Sequence, residues 1–396
     1  MTQTLIKNAQ LVRPGLGCER GDLLIEGAVI GSTNLGVEDS SCITTVIDAK
    51  GMLVTPGLID IHCHGIENLL YEGSGNQILD ASQILPRYGT TCVLPTLYTV
   101  MNRSSLDKLS SLVEQLPLSE ATRTPGFHLE GPFLKLRGAG ADTIAGDVGL
   151  LDEILAACAG RVLAMSVSPD TENVIPVIER LRESNITVFM THTQASVDQT
   201  EAAIAAGARH ATHFYDVFPV PREEMAGVRP VGAVETILAA DQCSVDFICD
   251  NVHVHPMAIK AAIAAKGWQN VAAITDANIG AGFNEGVFDT PWGFSIQVRP
   301  NDAARIADVD HPHFGQLAGS SLTMDKAVSN LLRWLELPAD QIWAMGTLNP
   351  ARIVGLHTMG SLATGSDADF VIWQEQDGSL AAHQTWVGGR CVYRSE

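Results

Sequence analysis

The sequence is short of basic residues. Its 396 residues carry 25 Lys and Arg against 45 Asp and Glu, a formal net charge of −20. Nucleic acids and anionic membranes bind proteins through clustered Lys and Arg, so this balance argues against both as partners. We expect a small-molecule substrate instead. If that substrate is anionic, a local group of basic side chains must hold it against the field of the whole chain.

Paired cysteines and long apolar runs are also missing. The eight cysteines are scattered and none belongs to a Cys-x-x-Cys pair, which predicts reduced thiols. No apolar run is long enough to cross a bilayer, and no basic stretch followed by an apolar one opens the sequence. We therefore expect a cytoplasmic protein.

Apolar residues make up 46% of the chain and charged residues only 18%, which indicates a folded, globular protein. Short apolar runs alternate with turns at both ends of the chain, and neither end has enough strands to bury a core alone. We predict one small β-sandwich domain built from residues 1–54 together with 355–396.

Residues 55–354 alternate apolar strands with helical stretches. Eight such alternations over this length favour an α/β fold, a (β/α)8 TIM barrel, over an open sheet. A β excursion over 283–305 and a helix over 322–335 are expected after the last strand. In a barrel of this kind the chemistry lies at the carboxyl ends of the strands. We expect these ends near His64, Leu97, Glu130, Ser168, His192, His213, His253 and Asp276.

The first predicted barrel strand ends in two histidines one residue apart, His62 and His64. Alternate side chains of a strand point to the same face, so both imidazoles project together. Neutral imidazoles are good ligands for zinc and related ions. A His-x-His pair alone is weak evidence of a metal site, and its meaning depends on the later strand ends.

Those strand ends carry Glu130, His192, His213 and Asp276. Any one of them has a structural explanation, since a lone histidine usually packs in a core and Asp276 could cap a turn. Together with His62 and His64 they form a cluster of four imidazoles and two carboxylates, the set of groups that a hydrolytic metal site needs. One or two divalent ions are expected, and zinc, iron, manganese and cobalt all suit these ligands. His210 has no strand-end position that recommends it.

Several motifs resemble those of the amidohydrolase superfamily and, within it, the N-acetylglucosamine-6-phosphate deacetylase family. The resemblance extends over nearly the whole chain. It rests on PGLIDIHCHG (56–65), HLEGPF (128–133), ATHFYD (211–216), CDNVHV (249–254), ITDA (274–277), LAGSSLTM (317–324), TLNPAR (347–352) and GSLATGSDADFVIW (360–373).

The resemblance implies a role for each matching residue. Glu130, His192 and His213 would hold the main metal ion, and His62 and His64 a second one that some family members have. Asp276 would be the general base and acid, and His253 would face the substrate. It also implies a homodimer.

Four departures from the family pattern concern substrate binding. Gly140 stands where the family usually has a sugar-contacting histidine, and Asp216 where it has an asparagine. The segment 66–70 replaces a glycine-rich stretch. Arg222 could replace the phosphate-binding arginine or could be a surface residue. A carboxylate at Asp216 would repel a phosphate.

The sequence therefore predicts a metal-dependent deacetylase of an N-acetylated amino sugar or a related N-acyl compound. Hydrolysis of a cyclic amide or an N-acyl amino acid, and deamination, are alternatives on the same scaffold. A non-catalytic barrel is a further alternative, but it should have lost some of these ligands.

Overall fold

Two large sheets organise the chain. The computed structural model describes residues 3–32, 43–73, 76–138, 140–223, 225–376 and 379–396. One eight-stranded sheet is built from the two ends of the chain, and the other is parallel and lies between them in sequence. The N-terminal part contributes β1 (Gln3–Arg13), β2 (Gly17–Glu26), β3 (Val29–Ser32), β4 (Ile43–Asp48) and β5 (Leu53–Pro56).

The parallel sheet forms the predicted barrel. Its strands pair in sequence order, and a bridge between Cys63 and Ala277 joins the last strand end to the first. The strands are β6 (Leu58–Cys63), β9 (Thr90–Leu97), β10 (Phe127–Glu130), β11 (Val162–Val167), β12 (Thr187–Met190), β13 (Ala208–Ala211), β14 (Ser244–Ile248) and β15 (Val271–Ile274), with a short hairpin of β7 (Gly65–Ile66) and β8 (Leu69–Leu70) after β6. The predicted (β/α)8 fold is confirmed.

Helices cover the outside of the barrel, so its strands are buried on both faces, as in β6 and β9 where every residue is buried. The helices are α1 (Gln77–Ile84), α2 (Leu106–Val113), α3 (Val148–Ala157), α4 (Val174–Glu183), α5 (Val197–Ala206), α6 (Ala233–Ala239), α7 (Pro256–Lys266), α8 (Met324–Trp334), α9 (Ala339–Gly346) and α10 (Leu348–Ile353). None in the described part of the chain is long and apolar enough to cross a membrane.

Local sequence explains individual helix positions. At the start of α5, the Ser196 hydroxyl accepts the Gln199 N–H while the Gln199 side chain accepts the Ser196 N–H, a capping box. In α8 the buried residues recur at helical spacing, which turns one face towards the core. They are Met324, Ala327, Val328 and Leu331.

The seventh barrel strand is shorter than expected. It ends at Ile248 and not near His253. The cause is Asp250, whose Oδ1 accepts the backbone N–H groups of Val252 at 2.8 Å and His253 at 2.9 Å. A short acidic side chain that binds the backbone in this way replaces the strand ladder by a turn.

A three-stranded antiparallel sheet forms the predicted excursion after β15. Its strands are β16 (Gly286–Asp289), β17 (Ser295–Val298) and β18 (Arg305–Ile306). A separate apolar cluster anchors this sheet and includes Leu70 of β8, so the excursion packs on the loop that follows the first barrel strand. The excursion therefore lies at the carboxyl end of the barrel.

The C-terminal strands β19 (Phe370–Gln376), β20 (Ser379–Val387) and β21 (Arg390–Arg394) complete the small sheet. β19 pairs antiparallel with β5, Phe370 opposite Pro56, and this contact joins the two ends of the chain. The sheet order is β21-β20-β19-β5-β1-β2-β3, with β4 paired to β1. Because β5 continues to Pro56, it crosses the predicted boundary at 54/55, and the domain limits stay a prediction.

A partly buried ion pair connects the barrel to this sheet. Arg123, just before β10, reaches Asp369 through Nε at 2.6 Å and through Nη2 at 3.1 Å. The Asp369 side chain is only 3% exposed, and its Oδ1 also accepts the Gly388 N–H. Removing the guanidinium would leave a buried carboxylate with one remaining donor.

We therefore expect Arg123→Ala to lower the free energy of unfolding by about 3 kcal/mol, because an unpaired buried charge is costly. Urea unfolding measures this. Arg103→Ala, which removes an exposed pair with Glu153, is the matched control and should cost less than about 1 kcal/mol. Equal losses in the two variants would contradict the assignment.

Candidate active site

Six side chains meet at the carboxyl ends of the barrel strands. His62 lies in β6 and His64 directly follows it, while Glu130 is the last residue of β10. His192, His213 and Asp276 are each the second residue after a strand, β12, β13 and β15 respectively. All six predicted residues are therefore brought together, although their roles stay to be tested.

The three residues that follow strands share an unusual backbone. His192, His213 and Asp276 have φ of 49°, 35° and 46°, the left-handed region that non-glycine residues rarely adopt. The neighbouring structure holds each one in place. The His192 carbonyl accepts from Ser168 and Leu136, the His213 N–H donates to Asp246, and the Asp276 N–H donates to the His62 carbonyl. Such strain is typical of functional sites.

Glu130 is the centre of the cluster. Its Oε1 lies 3.1 Å from His192 Nε2 and 3.0 Å from His213 Nε2. Its Oε2 lies 3.3 Å from His64 Nε2 and 3.6 Å from His62 Nε2. One carboxylate thus lies between two pairs of imidazoles, His192 with His213 and His62 with His64.

Asp276 lies on the solvent-facing side of the cluster. Its Oδ1 lies 3.1 Å from His64 Nε2 and 3.4 Å from His62 Nε2, and its side chain is 19% exposed, against 4% for Glu130. Asp276 is therefore the carboxylate of the pair that an incoming substrate can reach.

The donor atoms fit a divalent cation. A tetrahedral ion with ligands at about 2.0–2.1 Å separates those ligands by about 3.3 Å, and the distances in the cluster run from 3.0 to 3.6 Å. Two sets of three residues are close enough to share an ion, His62 with Glu130 and His213, and His62 with His64 and Asp276.

The outward nitrogens of the imidazoles point to the same conclusion. His64 Nδ1 faces the Thr96 carbonyl at 3.2 Å and His213 Nδ1 faces the Asp216 carbonyl at 3.3 Å. A carbonyl only accepts, so each Nδ1 carries a proton and each Nε2 faces the cluster.

The carboxylates and imidazoles of the cluster shift one another's pKa values. Burial lowers the pKa of His64, but hydrogen bonds and charge from Asp276 and Glu130 outweigh it and raise the pKa to about 10. Burial also lowers the pKa of His213, but the hydrogen bond and charge of Glu130 outweigh burial and raise this pKa to about 10. Burial raises the pKa of Glu130, yet the imidazoles hold it well below its usual range, and they lower the pKa of Asp276 to about 2. Protons hold the places that a cation would take.

A buried chain of hydrogen bonds supports the cluster from within the barrel. His62 Nδ1 lies 2.7 Å from the Thr212 hydroxyl, which donates to Asp246 Oδ2 at 3.1 Å. The same oxygen lies 2.7 Å from His210 Nε2, and Asp246 Oδ1 accepts the His213 N–H. Asp246 therefore orients two predicted ligands. Sequence analysis set His210 aside because it does not lie at a strand end, and its partner Asp246 lies on another strand.

Of the predicted substrate-binding residues, His253 and Asp216 lie near the cluster and Arg222 lies at the surface. His253 Nδ1 lies 2.6 Å from Asp250 Oδ2, and this carboxylate, with charge from Asp216 and Asp276, raises the His253 pKa against the effect of burial. Asp216 lies three residues after His213, and its backbone carbonyl oxygen is 3.3 Å from His213 Nδ1. Arg222 is exposed and pairs with no acidic group among the described residues. A nearby cavity of about 110 Å³ is lined by Arg229, which pairs with Glu235 at 2.6 Å.

Gly140 lies in an exposed turn, while a neighbouring glycine that sequence reasoning missed makes the closer approach to the cluster. A Cβ on Gly138 would lie 1.9 Å from His192 Cε1, so only glycine lets this loop cover the imidazole. Tyr98 was missed too, and its ring lies edge-on to His64 with the centroids 4.8 Å apart.

The geometry agrees with what known proteins indicate. The amidohydrolase family model matches residues 53–392, and the chain belongs to this family. It is a hydrolase of carbon–nitrogen bonds other than peptide bonds, and the family implies a divalent metal.

Among individual proteins, it is similar to N-acetylglucosamine-6-phosphate deacetylases. The one from Lysinibacillus sphaericus is 29% identical over 87% of this chain and 86% of its own length. The one from Bacillus subtilis is 30% identical over 81% and 80%. The crystal structure of the Mycobacterium smegmatis enzyme superposes with a TM-score of 0.83 at 25% identity, covering 99% of this chain and all of its own.

We expect Asp246→Asn to weaken metal binding by about 10- to 100-fold, because the amide cannot accept from Thr212, His210 and the His213 N–H together. Competition with a chromophoric chelator measures the affinity. Asp325→Asn is the control, since Asp325 bonds Thr323 at the start of α8. An unchanged affinity in a folded Asp246→Asn protein would contradict the supporting role.

We also expect the metal-free protein to lose stability as pH rises from about 6.5 to 10. His64 and His213 have folded pKa values of about 10, above the value of about 6.5 for an unfolded histidine. Their contribution is complete below pH 6.5 and is lost through pH 10. Urea unfolding in chelator measures it. The metal-loaded protein should decline less, and a flat metal-free profile would contradict the coupling.

Proposed function

We propose that this protein is a metal-dependent deacetylase of an N-acetylated amino sugar. The observation that carries the proposal is the position of Glu130 between two pairs of imidazoles, with Asp276 on the open side. The relatives named above are deacetylases of N-acetylglucosamine 6-phosphate, which supports the same substrate class here.

The proposed roles are those that the family resemblance implies. Glu130, His192 and His213 would hold one divalent ion and His62 and His64 a second, and such ions supply Lewis acidity and an acidified water. Asp276 accepts the proton of the attacking water, because its lowered pKa keeps it ionised at neutral pH. It then returns this proton to the departing amine nitrogen, which leaves poorly as an anion.

We propose zinc as the ion, because imidazole and carboxylate ligands at tetrahedral spacing suit it well. A homodimer is proposed from the family resemblance alone, and a cytoplasmic location from the scattered cysteines.

The charges near the site do not favour a phosphate group on the substrate. The Asp216 carboxylate is close enough to His213 and His253 to contribute to the rise of both pKa values. Arg222 forms no contact that places it in the site, and Arg229 is paired with Glu235. An unphosphorylated N-acetyl sugar is therefore a second candidate substrate, favoured by these charges.

The test is acetate release from N-acetylglucosamine 6-phosphate and from N-acetylglucosamine, by zinc-loaded protein. Asp276→Asn should keep the metal and lose about 10²- to 10⁴-fold in kcat, because general acid–base catalysis is removed. His192→Ala should lose metal as well as turnover. Asp241→Asn is the matched control, since Asp241 is an exposed carboxylate in the turn after α6.

Faster turnover of the unphosphorylated sugar would select the second candidate. Ring opening of a cyclic amide or ammonia release from an aminopurine, without acetate release from either sugar, would replace deacetylation by one of the alternative hydrolase reactions. Near-normal turnover by Asp276→Asn would contradict the role of Asp276.

A further inference from the structure

Tyr98 lies beside the metal-binding cluster without any role assigned so far. It follows β9 directly, its side chain is 5% exposed, and its ring meets the His64 ring edge-on at 4.8 Å. The backbone N–H groups of Tyr98 and Thr99 both donate to Glu72 Oε2, at 2.9 and 3.1 Å. Glu72 is itself buried, so the position of the Tyr98 ring next to His64 is fixed.

The Tyr98 hydroxyl lies near the side chains of Trp292 and Asn278, both of which can donate hydrogen bonds. Asn278 Oδ1 is already used, because it accepts the Ile279 N–H at 3.0 Å. Within the described part of the chain no group accepts a hydrogen bond from the Tyr98 hydroxyl, so its proton is available to a ligand.

The loop opposite Tyr98 offers no competing side chain at two of its positions. A Cβ on Gly140 would lie 3.5 Å from Tyr98 Cε2, and Gly140 has φ of 96°, which L-residues rarely adopt. Gly138 lies against His192 and cannot carry a side chain either. Neither Gly138 nor Gly140 therefore places a side chain against the Tyr98 ring.

A hydrogen-bond donor beside the cluster would assist the reaction. As the water oxygen bonds to the acyl carbon, the carbonyl π electrons move to the acyl oxygen and make it an anion. Glu130, Asp276 and Asp216 are carboxylates and repel this charge. A tyrosine is neutral at neutral pH and can donate its O–H.

We propose that the Tyr98 hydroxyl donates a hydrogen bond to the acyl oxygen of the amide and stabilises the oxyanion that develops there. This proposal rests on the proposed deacetylase function. Tyr98 would thereby be a catalytic residue contributed by the second barrel strand, in a site where Gly140 supplies no side chain.

The test is Tyr98→Phe, which keeps the ring against His64 and removes only the hydroxyl. We expect kcat for acetate release to fall by about 100- to 1,000-fold, as for other lost oxyanion donors, with KM changed less than about threefold and metal content unchanged. Tyr88→Phe is the matched control, because its hydroxyl donates to the Gly282 carbonyl instead.

Binding of a tetrahedral mimic gives a second readout. The methylphosphonamidate of the amino sugar, in which phosphorus replaces the acyl carbon, should bind Tyr98→Phe more weakly by about the factor lost in kcat. An unchanged kcat, or a rise in KM alone, would overturn the proposal while leaving the deacetylase function intact. A wild-type protein that releases acetate from neither sugar would overturn the deacetylase function, and this proposal with it.

Discussion

A single buried carboxylate, Glu130, holds the centre of this molecule together electrostatically. Four imidazoles in a closed barrel would repel one another if protonated, and an isolated buried anion would be costly. Glu130 resolves both problems because each of its oxygens faces one pair of histidines. The left-handed turns after β12, β13 and β15, and the Asp246 chain beneath them, then maintain this geometry, so the barrel is arranged around the charge balance at its mouth.

Much of this could be predicted from the sequence. Strand period and strand–helix alternation predicted the barrel, and the ligands followed because parallel strands end at one edge. The helix expected over 322–335 is found as α8, Met324–Trp334, because its apolar residues recur at helical spacing. The end of β14 was missed because the Asp250 side chain, and not the apolar pattern, stops that strand.

The residues that escaped sequence reasoning share one property, that their function depends on neighbours from distant strands. His210 looks like an ordinary core histidine until Asp246 of the next strand is placed beside it. Gly138 looks like a loop glycine until His192 is found against its backbone. Tyr98 ends an apolar strand, and only the closed barrel brings it to His64. Periodicity reports the face of an element, but it does not report what faces it.

The pairing of β5 with β19 has a consequence for how the chain is made. Pro56 meets Phe370 across more than 300 residues of sequence, so the N-terminal strands emerge from the ribosome long before their partner. At elongation rates of about 5–20 residues per second this interval lasts roughly 15–60 s. The barrel strands are synthesised during that time, while the edge of β5 that pairs with β19 has no partner. Translation speed and chaperone access to that edge thus become part of the protein's physical chemistry, because exposed strand edges are sites of aggregation.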